Sequence, residues 1–390
     1  MAIRVLAGCV GALIVLATAW SVLGTLVVPR RIRSRIPRTV FIATRSVFQF
    51  LADRTSSYDQ QDRILAIQAP VQLIGQIVAW LALYELGFGL LLWSSGNGGL
   101  GDALEQAGSA LCTLGFLVPH TTAGAALDPL AALAGLGTVA LQIGYLPTLY
   151  AAFNRRESLV TMLDSRAGIP SWGPELLART HYGLGSGVSA VGELPALFES
   201  WEQWSADVSE SHTTYVPLIW FRSPRPLSSW VTAQLAILDA AALYLSLLPD
   251  SSGLIQARLC LRGGFTCLAN IARAIGIPIP FDADPNDGIS LSYEDFVEAI
   301  DRLRIVDFPI ERPLEDAWLD FSGWRVNYEA AAYALAEATN APPALWSGPR
   351  RHEMEQIAPL RPKTAGREKP LGGPARTDSS RLPGGPAQQR

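Results

Sequence analysis

Residues 101–118 read GDALEQAGSALCTLGFLV, and the fold turns on how that stretch is used. Its first half favours a helix, with Asp102 and Glu105 in capping-box spacing ahead of Ala107, Ala110 and Leu111. Its second half breaks into Thr113-Leu114-Gly115-Phe116, where the glycine lets the backbone turn its carbonyls and the threonine adds a hydroxyl oxygen. An uncharged segment, Leu130 to Phe153, follows and closes at Arg155 and Arg156. Irregular backbone within a bilayer needs shielding helices on both sides, so this order predicts a pore loop.

Composition fits a membrane protein with a large water-soluble part. Charged residues make up 17% of the 390 and hydrophobic residues 49%, and mean hydropathy is positive. A net charge of -4 argues against a nucleic-acid partner. Three segments approach the roughly 20 apolar residues a span requires: Val5 to Val28, Ala69 to Trp93 and Leu130 to Phe153. Ala17-Thr18-Ala19 has the look of a signal cleavage site, but the apolar run continues well beyond it, which favours a retained span.

Positive residues set the expected orientation. Arg30, Arg31, Arg33, Arg35 and Arg38 crowd behind the first span against Arg4 before it, and Arg155 and Arg156 follow the third. The N-terminus is expected outside and the C-terminal part in the cytoplasm, as a multi-pass protein of the inner or plasma membrane. Thr39 to Arg54 is too short to span. It reads either as a helix lying in the interface beside anionic headgroups or as an amphipathic connector on the soluble part.

Span, short helix, Thr113-Leu114-Gly115-Phe116 and second span together resemble the pore domain of the potassium channel superfamily, particularly the bacterial two-transmembrane and two-pore-domain-like proteins, over about Arg63 to Glu157. The resemblance implies a selectivity filter formed by Thr113, Leu114, Gly115 and Phe116, and a homotetramer around one path for potassium or another monovalent cation. Leu117 stands where the family has its second filter glycine and Val118 where it usually has aspartate. A left-handed leucine at 117 would cost about 1 to 2 kcal/mol.

Further residues take roles from this layout. Asp102 and Glu105 read as helix caps or as an attractive outer mouth for cations. Glu85, an ionisable group within a span, reads as a brace behind the filter or as an interfacial residue. Gly144 and Pro147 form a candidate gate hinge, although small residues and proline also serve close helix packing. Gln142 is a polar pore-lining or interhelical group.

From 158 to 340 the pattern changes to a helical domain, with helices expected over Glu193–Val208, Ser228–Leu248, Leu254–Ile275, Ser292–Val306 and Pro313–Thr339. Asp239 interrupts one apolar helix, and Arg258 and Arg262 another, so both read as core helices and not spans. Gly183, Gly185 and Gly187 lack dinucleotide-binding spacing. Asp282 to Gly288 is out of frame for a calcium loop, and a turn capped by Ser292 with Asp295 explains it better. Scattered histidines (His120, His181, His212, His352) and Cys260 with Cys267 give no metal or catalytic pattern. The aromatic group Trp201, Trp204, Tyr215, Trp220 and Phe221 reads as packing, leaving Arg222 and Arg225 for headgroups or acidic partners.

The expected organisation is thus an all-α membrane protein: a first transmembrane helix (1–28), a basic connector (29–62), a pore-like domain (63–157), a helical cytoplasmic domain (158–340) and a Pro/Gly/Arg/Ser-rich tail (341–390) expected to be disordered. The expected function is a cation-conducting oligomer with no enzymatic activity, cofactor or metal. The alternative is a non-conducting scaffold or sensor whose helical domain binds a protein partner.

Overall fold

The computed structural model describes residues 2–28, 34–96, 98–119, 121–180, 191–251, 253–279 and 288–348, and no strand occurs among them. The chain runs α1 (Ala2–Leu26), α2 (Arg35–Ala52), α3 (Tyr58–Ala66), α4 (Gln68–Ser94), α5 (Leu100–Leu111), α6 (Thr122–Ala167), α7 (Gly173–Thr180) and α8 (Leu194–Thr214). It continues through a 3-10 turn (Val216–Trp220), α9 (Trp230–Leu247), α10 (Leu254–Ala274), α11 (Tyr293–Arg304), α12 (Leu314–Arg325) and α13 (Glu329–Ala338). Arg30, Arg31, Arg33, His120, His181, His352, the glycines 183, 185 and 187, residues 282–287 and the tail from 349 lie outside the described residues.

Four stretches are long and apolar enough to cross a membrane: Ala2–Leu26, Tyr58–Ser94, Thr122–Ala167 and Trp230–Leu247. The first three leave large apolar side chains uncovered, Leu13, Ile74 and Leu133 among them, a surface suited to lipid. α1 lies against α4 through glycines. A Cβ on Gly11 would stand 2.6 Å from the Gly87 carbonyl oxygen, so these two backbones approach as closely as small residues permit. Trp80 adds a buried hydrogen bond from its indole N–H to Ser21 Oγ at 3.0 Å.

The fourth apolar helix has a different fate. Every residue of α9 is buried, because α6, α7, α8, α10, α12 and α13 all pack around it. A helix that is apolar all round must be enclosed by lipid or by protein, and here the enclosure is protein. Its one acid, Asp239, is matched from outside: the Arg325 guanidinium donates to it, and Tyr328 Oη donates at 2.8 Å. α10 fits the same layer as an amphipathic helix, with Cys260 and Leu261 inward and Arg258 and Arg262 exposed.

The continuous helix expected over Pro313–Thr339 is two helices broken at Val326–Tyr328. The break follows from the polar cluster it serves. Tyr328 is fully buried on Asp239, while Arg325 also donates to Glu329 Oε1 at 2.9 Å and to the Trp346 carbonyl at 2.7 Å.

α6 is the longest element, and at 1.5 Å per residue its 46 residues extend about 69 Å. That is more than twice a hydrocarbon core of about 30 Å, so the helix continues into the C-terminal domain. There Arg156 is fully buried. Its N–H groups donate to Glu157 Oε1 at 2.7 Å, His212 Nε2 at 3.0 Å, and the carbonyls of Leu218 and Phe221 at 2.8 and 2.7 Å. An arginine can only donate, so His212 accepts on Nε2 and its Nδ1–H faces Ser211 Oγ at 3.1 Å. Burial first, and then the charge of Arg156, hold the His212 pKa well below its ordinary value, so the imidazole is neutral.

The connector is pinned to the same domain. Arg222, expected to reach headgroups or acidic partners, pairs within the chain with Asp62 and donates to the Thr339 and Asn340 carbonyls at 2.7 and 3.0 Å. Arg45 on α2 donates to the Ala338 carbonyl at 3.2 Å and stacks 4.8 Å from the Trp220 ring centre. Two arginines therefore satisfy the carbonyls at the end of α13, where the helix dipole favours positive charge. α2 still exposes Val47 and Phe50 on its other side, so it is a connector on the domain that keeps an apolar face. Arg225 likewise binds Asp164, at 3.1 Å.

A buried ion pair also joins α7 to α11: Arg302 Nε donates to Glu175 Oε2 at 2.7 Å, and Arg179 donates to Glu175 Oε1 at 2.7 Å. Burial alone would raise the Glu175 pKa, but the hydrogen bonds and charges of Arg302 and Arg179 outweigh it and hold the carboxyl below its ordinary value. The stabilisation is present above the unfolded pKa of about 4.3 and lost as pH falls through the lower folded value. Arg302→Ala is expected to cost about 3 kcal/mol in guanidinium unfolding. Acidification from about pH 5 to 3 is expected to destabilise the wild type more than Glu175→Gln.

Candidate pore loop and its supports

α5 begins one turn before the expected cap. Gly99, not Asp102, occupies the cap position, and Asp102 lies three residues into the turn with Oδ2 accepting from the Gly99 N–H at 2.9 Å. Glu105 is on the exposed side of the same helix. The buried face carries Ala103, Gln106, Ala107, Ser109 and Leu111, and packs on α4 and α6. Gln106 Nε2 donates to both carboxylate oxygens of Asp128 at 3.0 Å, tying the helix to the start of α6.

Two glycines decide how closely α5 sits. A Cβ on Gly135 would stand 2.2 Å from the Leu111 carbonyl oxygen, so the end of α5 rests directly on the α6 backbone. On the α4 side a Cβ on Gly108 would lie 3.4 Å from Glu85 Oε1. The Glu85 carboxylate thus lies against α5, the helix that precedes the loop, and is exposed on its other side. Of the α6 glycines, Gly135 permits this close approach, whereas Gly137 and Gly144 face open space. Gly144 and Pro147 both lie inside the continuous α6. Pro147 has no N–H, so the helical bond to the Ile143 carbonyl is missing there.

α5 ends in a Schellman motif. Leu114 N–H donates to the Ser109 carbonyl at 2.9 Å and Thr113 N–H to the Ala110 carbonyl at 3.0 Å. The motif requires left-handed backbone, and Thr113 adopts it with φ +56°. Gly115 follows at φ +68°, so left-handed residues alternate with Leu114 between them. A β-branched residue at positive φ is strained by about 1 to 2 kcal/mol. Leu117 lies outside the left-handed region, so the strain expected at Leu117 falls on Thr113 and the alternation stops after Gly115.

Among the described residues, no hydrogen bond is made to the carbonyls of Thr113, Leu114, Gly115 or Phe116. Leu114, Phe116 and Val118 are 66%, 58% and 72% exposed in the single chain. The loop therefore combines unused acceptors with uncovered apolar side chains.

Sequence reasoning missed a second polar feature. Gln68, Gln72 and Gln76 recur every fourth residue on one face of α4 and are 5%, 5% and 2% exposed. Gln68 Nε2, Gln72 Oε1 and, on α6, Gln142 Oε1 are buried without a hydrogen-bond partner. The repeat of four was visible in the sequence. No group of three or more His, Cys, Asp or Glu side chains able to hold a metal occurs among the described residues. Compared with protein-family models, curated proteins and solved structures, the chain matches none.

The strain at Thr113 has a measurable consequence. Thr113→Gly is expected to raise the stability of the purified protein by about 1 kcal/mol by relieving the left-handed threonine, read as a higher thermal midpoint. Gly135→Val is expected to lower it by unseating α5.

Proposed function

We propose that this chain is a potassium-channel-like membrane protein in which several copies, four in the family it resembles, surround a cation path lined by the loop from Thr113 to Phe116. One observation carries the reading: four successive carbonyls that accept no hydrogen bond follow a short helix wedged between two apolar helices. In a bilayer such groups need a partner, and a dehydrated cation is one. One chain supplies a single loop, so closure around an axis takes several copies. The C-terminal end of α5 adds partial negative charge beside Thr113, favouring a cation over an anion.

The arginines around the first and third spans support an outer N-terminus and a cytoplasmic helical domain. Glu85 braces α5 from behind, and the α6 segment around Gly144 and Pro147 lines the inner path. Because the left-handed alternation ends at Gly115, the filter offers fewer carbonyl layers than one with two glycines, and weak discrimination between potassium and sodium is expected.

Flux of potassium and sodium into liposomes holding the purified protein tests this reading. The wild type is expected to pass both cations and exclude chloride. Gly115→Ala is expected to abolish flux while preserving the oligomer, because φ +68° disfavours a side chain although space for one is open. Absence of flux from a correctly assembled oligomer, at any voltage or pH, would leave the scaffold or sensor reading in its place.

A further inference from the structure

From Thr39 to Leu51 the helix α2 holds a single charged residue, Arg45, and turns it inward onto the Trp220 ring and the Ala338 carbonyl. Outward it shows Ile42, Val47 and Phe50, which are 51%, 57% and 57% exposed, with Leu51 beside them. Phe41 packs inward, its ring centre 5.0 Å from that of Trp220. The helix is thus apolar on both sides and carries its charge toward the protein, the reverse of a helix with one side in water. Outward charges stand only at its ends: Arg35 and Arg38 before the apolar face, Asp53 and Arg54 after it. Arg54 lies over the Phe50 ring, 4.0 Å from its centre.

The position of α2 says what covers that face. Ser34 Oγ, at the start of the helix, lies 2.7 Å from Ser21 Oγ of α1. A Cβ on Gly75 of α4 would lie 3.4 Å from the Val40 side chain, so α2 crosses α4 about two turns into that helix. At this level α4 itself exposes Ile67, Val71, Ile74 and Val78. Both α1 and α4 belong to stretches long and apolar enough to cross a membrane, and their uncovered apolar surface runs past the height at which α2 sits. An apolar face continuous in level with such helices, and edged by arginines whose stems can lie along hydrocarbon while their heads reach water, suits a lipid surface.

We infer that α2 beds the face formed by Ile42, Val47 and Phe50 in the bilayer surface, with Arg35, Arg38 and Arg54 at the level of the headgroups. The inference rests on the membrane reading of α1 and α4 and stands whether or not the loop conducts. Because Arg45 on the opposite side holds the end of α13, one helix touches both the bilayer and the C-terminal domain.

The test is spin-label accessibility on the full chain in nanodiscs of phosphatidylglycerol and phosphatidylcholine. The exposed Cys9 and Cys112 are first replaced by alanine, and nitroxides are then placed singly at Val47→Cys and Phe50→Cys. Leu13→Cys on α1 serves as the lipid reference and Glu298→Cys, exposed on α11, as the water reference. The two α2 labels are expected to collide with oxygen over a water-soluble nickel chelate at least about threefold more than Glu298→Cys does, as fits burial about 5 to 10 Å into the interface. Ala43→Cys and Ser46→Cys, on the same outward side, repeat the reading if a label at 47 or 50 lowers the thermal midpoint. Nickel accessibility matching Glu298→Cys, with Leu13→Cys reading as lipid, would overturn the docking of α2 alone. Protection from both reagents, with dipolar coupling between labels on separate copies, would overturn it in favour of a second copy on this face. Water-like behaviour at Leu13→Cys would overturn the membrane reading and the docking together.

Discussion

The burial of Arg156 is the constraint on which the rest of the architecture depends. A guanidinium removed from water is tolerable only if its donors are all met, and here a carboxylate, an imidazole and two carbonyls meet them. Those partners come from α6 itself, from α8 and from the chain that follows it. The arginine therefore fixes the long helix, the aromatic turn and the core of the C-terminal domain relative to one another. Trp204 closes the cluster by donating its indole N–H to the Arg156 carbonyl at 3.0 Å. Removing the charge would strand its partners as much as the arginine itself.

Around that anchor the domain solves one problem repeatedly. Its core helix α9 is too apolar for water, and the helices that enclose it bring charges that must also be buried. Asp239 on α9 is matched by Arg325 on α12 and Glu175 on α7 by Arg302 on α11, while the connector's Asp62 is matched by Arg222. Such pairs add little net stability over apolar residues of the same size, but breaking one is costly, so they discriminate against wrong packings of otherwise similar helices. The part that carries the apolar helices long enough to cross a membrane relies on another device, close backbone contact through glycine at α1 with α4 and at α5 with α6. The loop at Thr113 sits where the second device ends.

How much could be read from the sequence follows from the range of the interactions involved. Apolar runs report themselves locally, so the three apolar helices long enough to cross a membrane, the helical character of the C-terminal part and the enclosed character of the Trp230 helix were legible. The Ser292 cap with Asp295 was legible for the same reason, since its partners lie three residues apart. Arg155 and Arg156, in contrast, read alike as a basic doublet ending a span, yet the first side chain is 58% exposed on Asp207 and the second is 0% exposed. Their difference is set by residues more than fifty positions away. Arg222 and Asp62 are separated by 160 positions, and no local pattern marks that pairing. At the loop, the glycine was legible, but the left-handed threonine was not, because it arises from how α5 is capped.

The unbroken length of α6 has a mechanical meaning. Arg156 fixes it about 51 Å from its N-terminal end at Thr122, counting 1.5 Å for each intervening residue. A helix anchored at Arg156 and continuous back to Thr122 moves as one piece, together with the α5 seated on it at Gly135. Tilting it by about 5° at the anchor would carry the N-terminal end through about 4 Å, roughly the spacing of neighbouring side chains in contact. Small rearrangements of the residues around Arg156 are thereby geared up, without a break in the helix between them, to its far end.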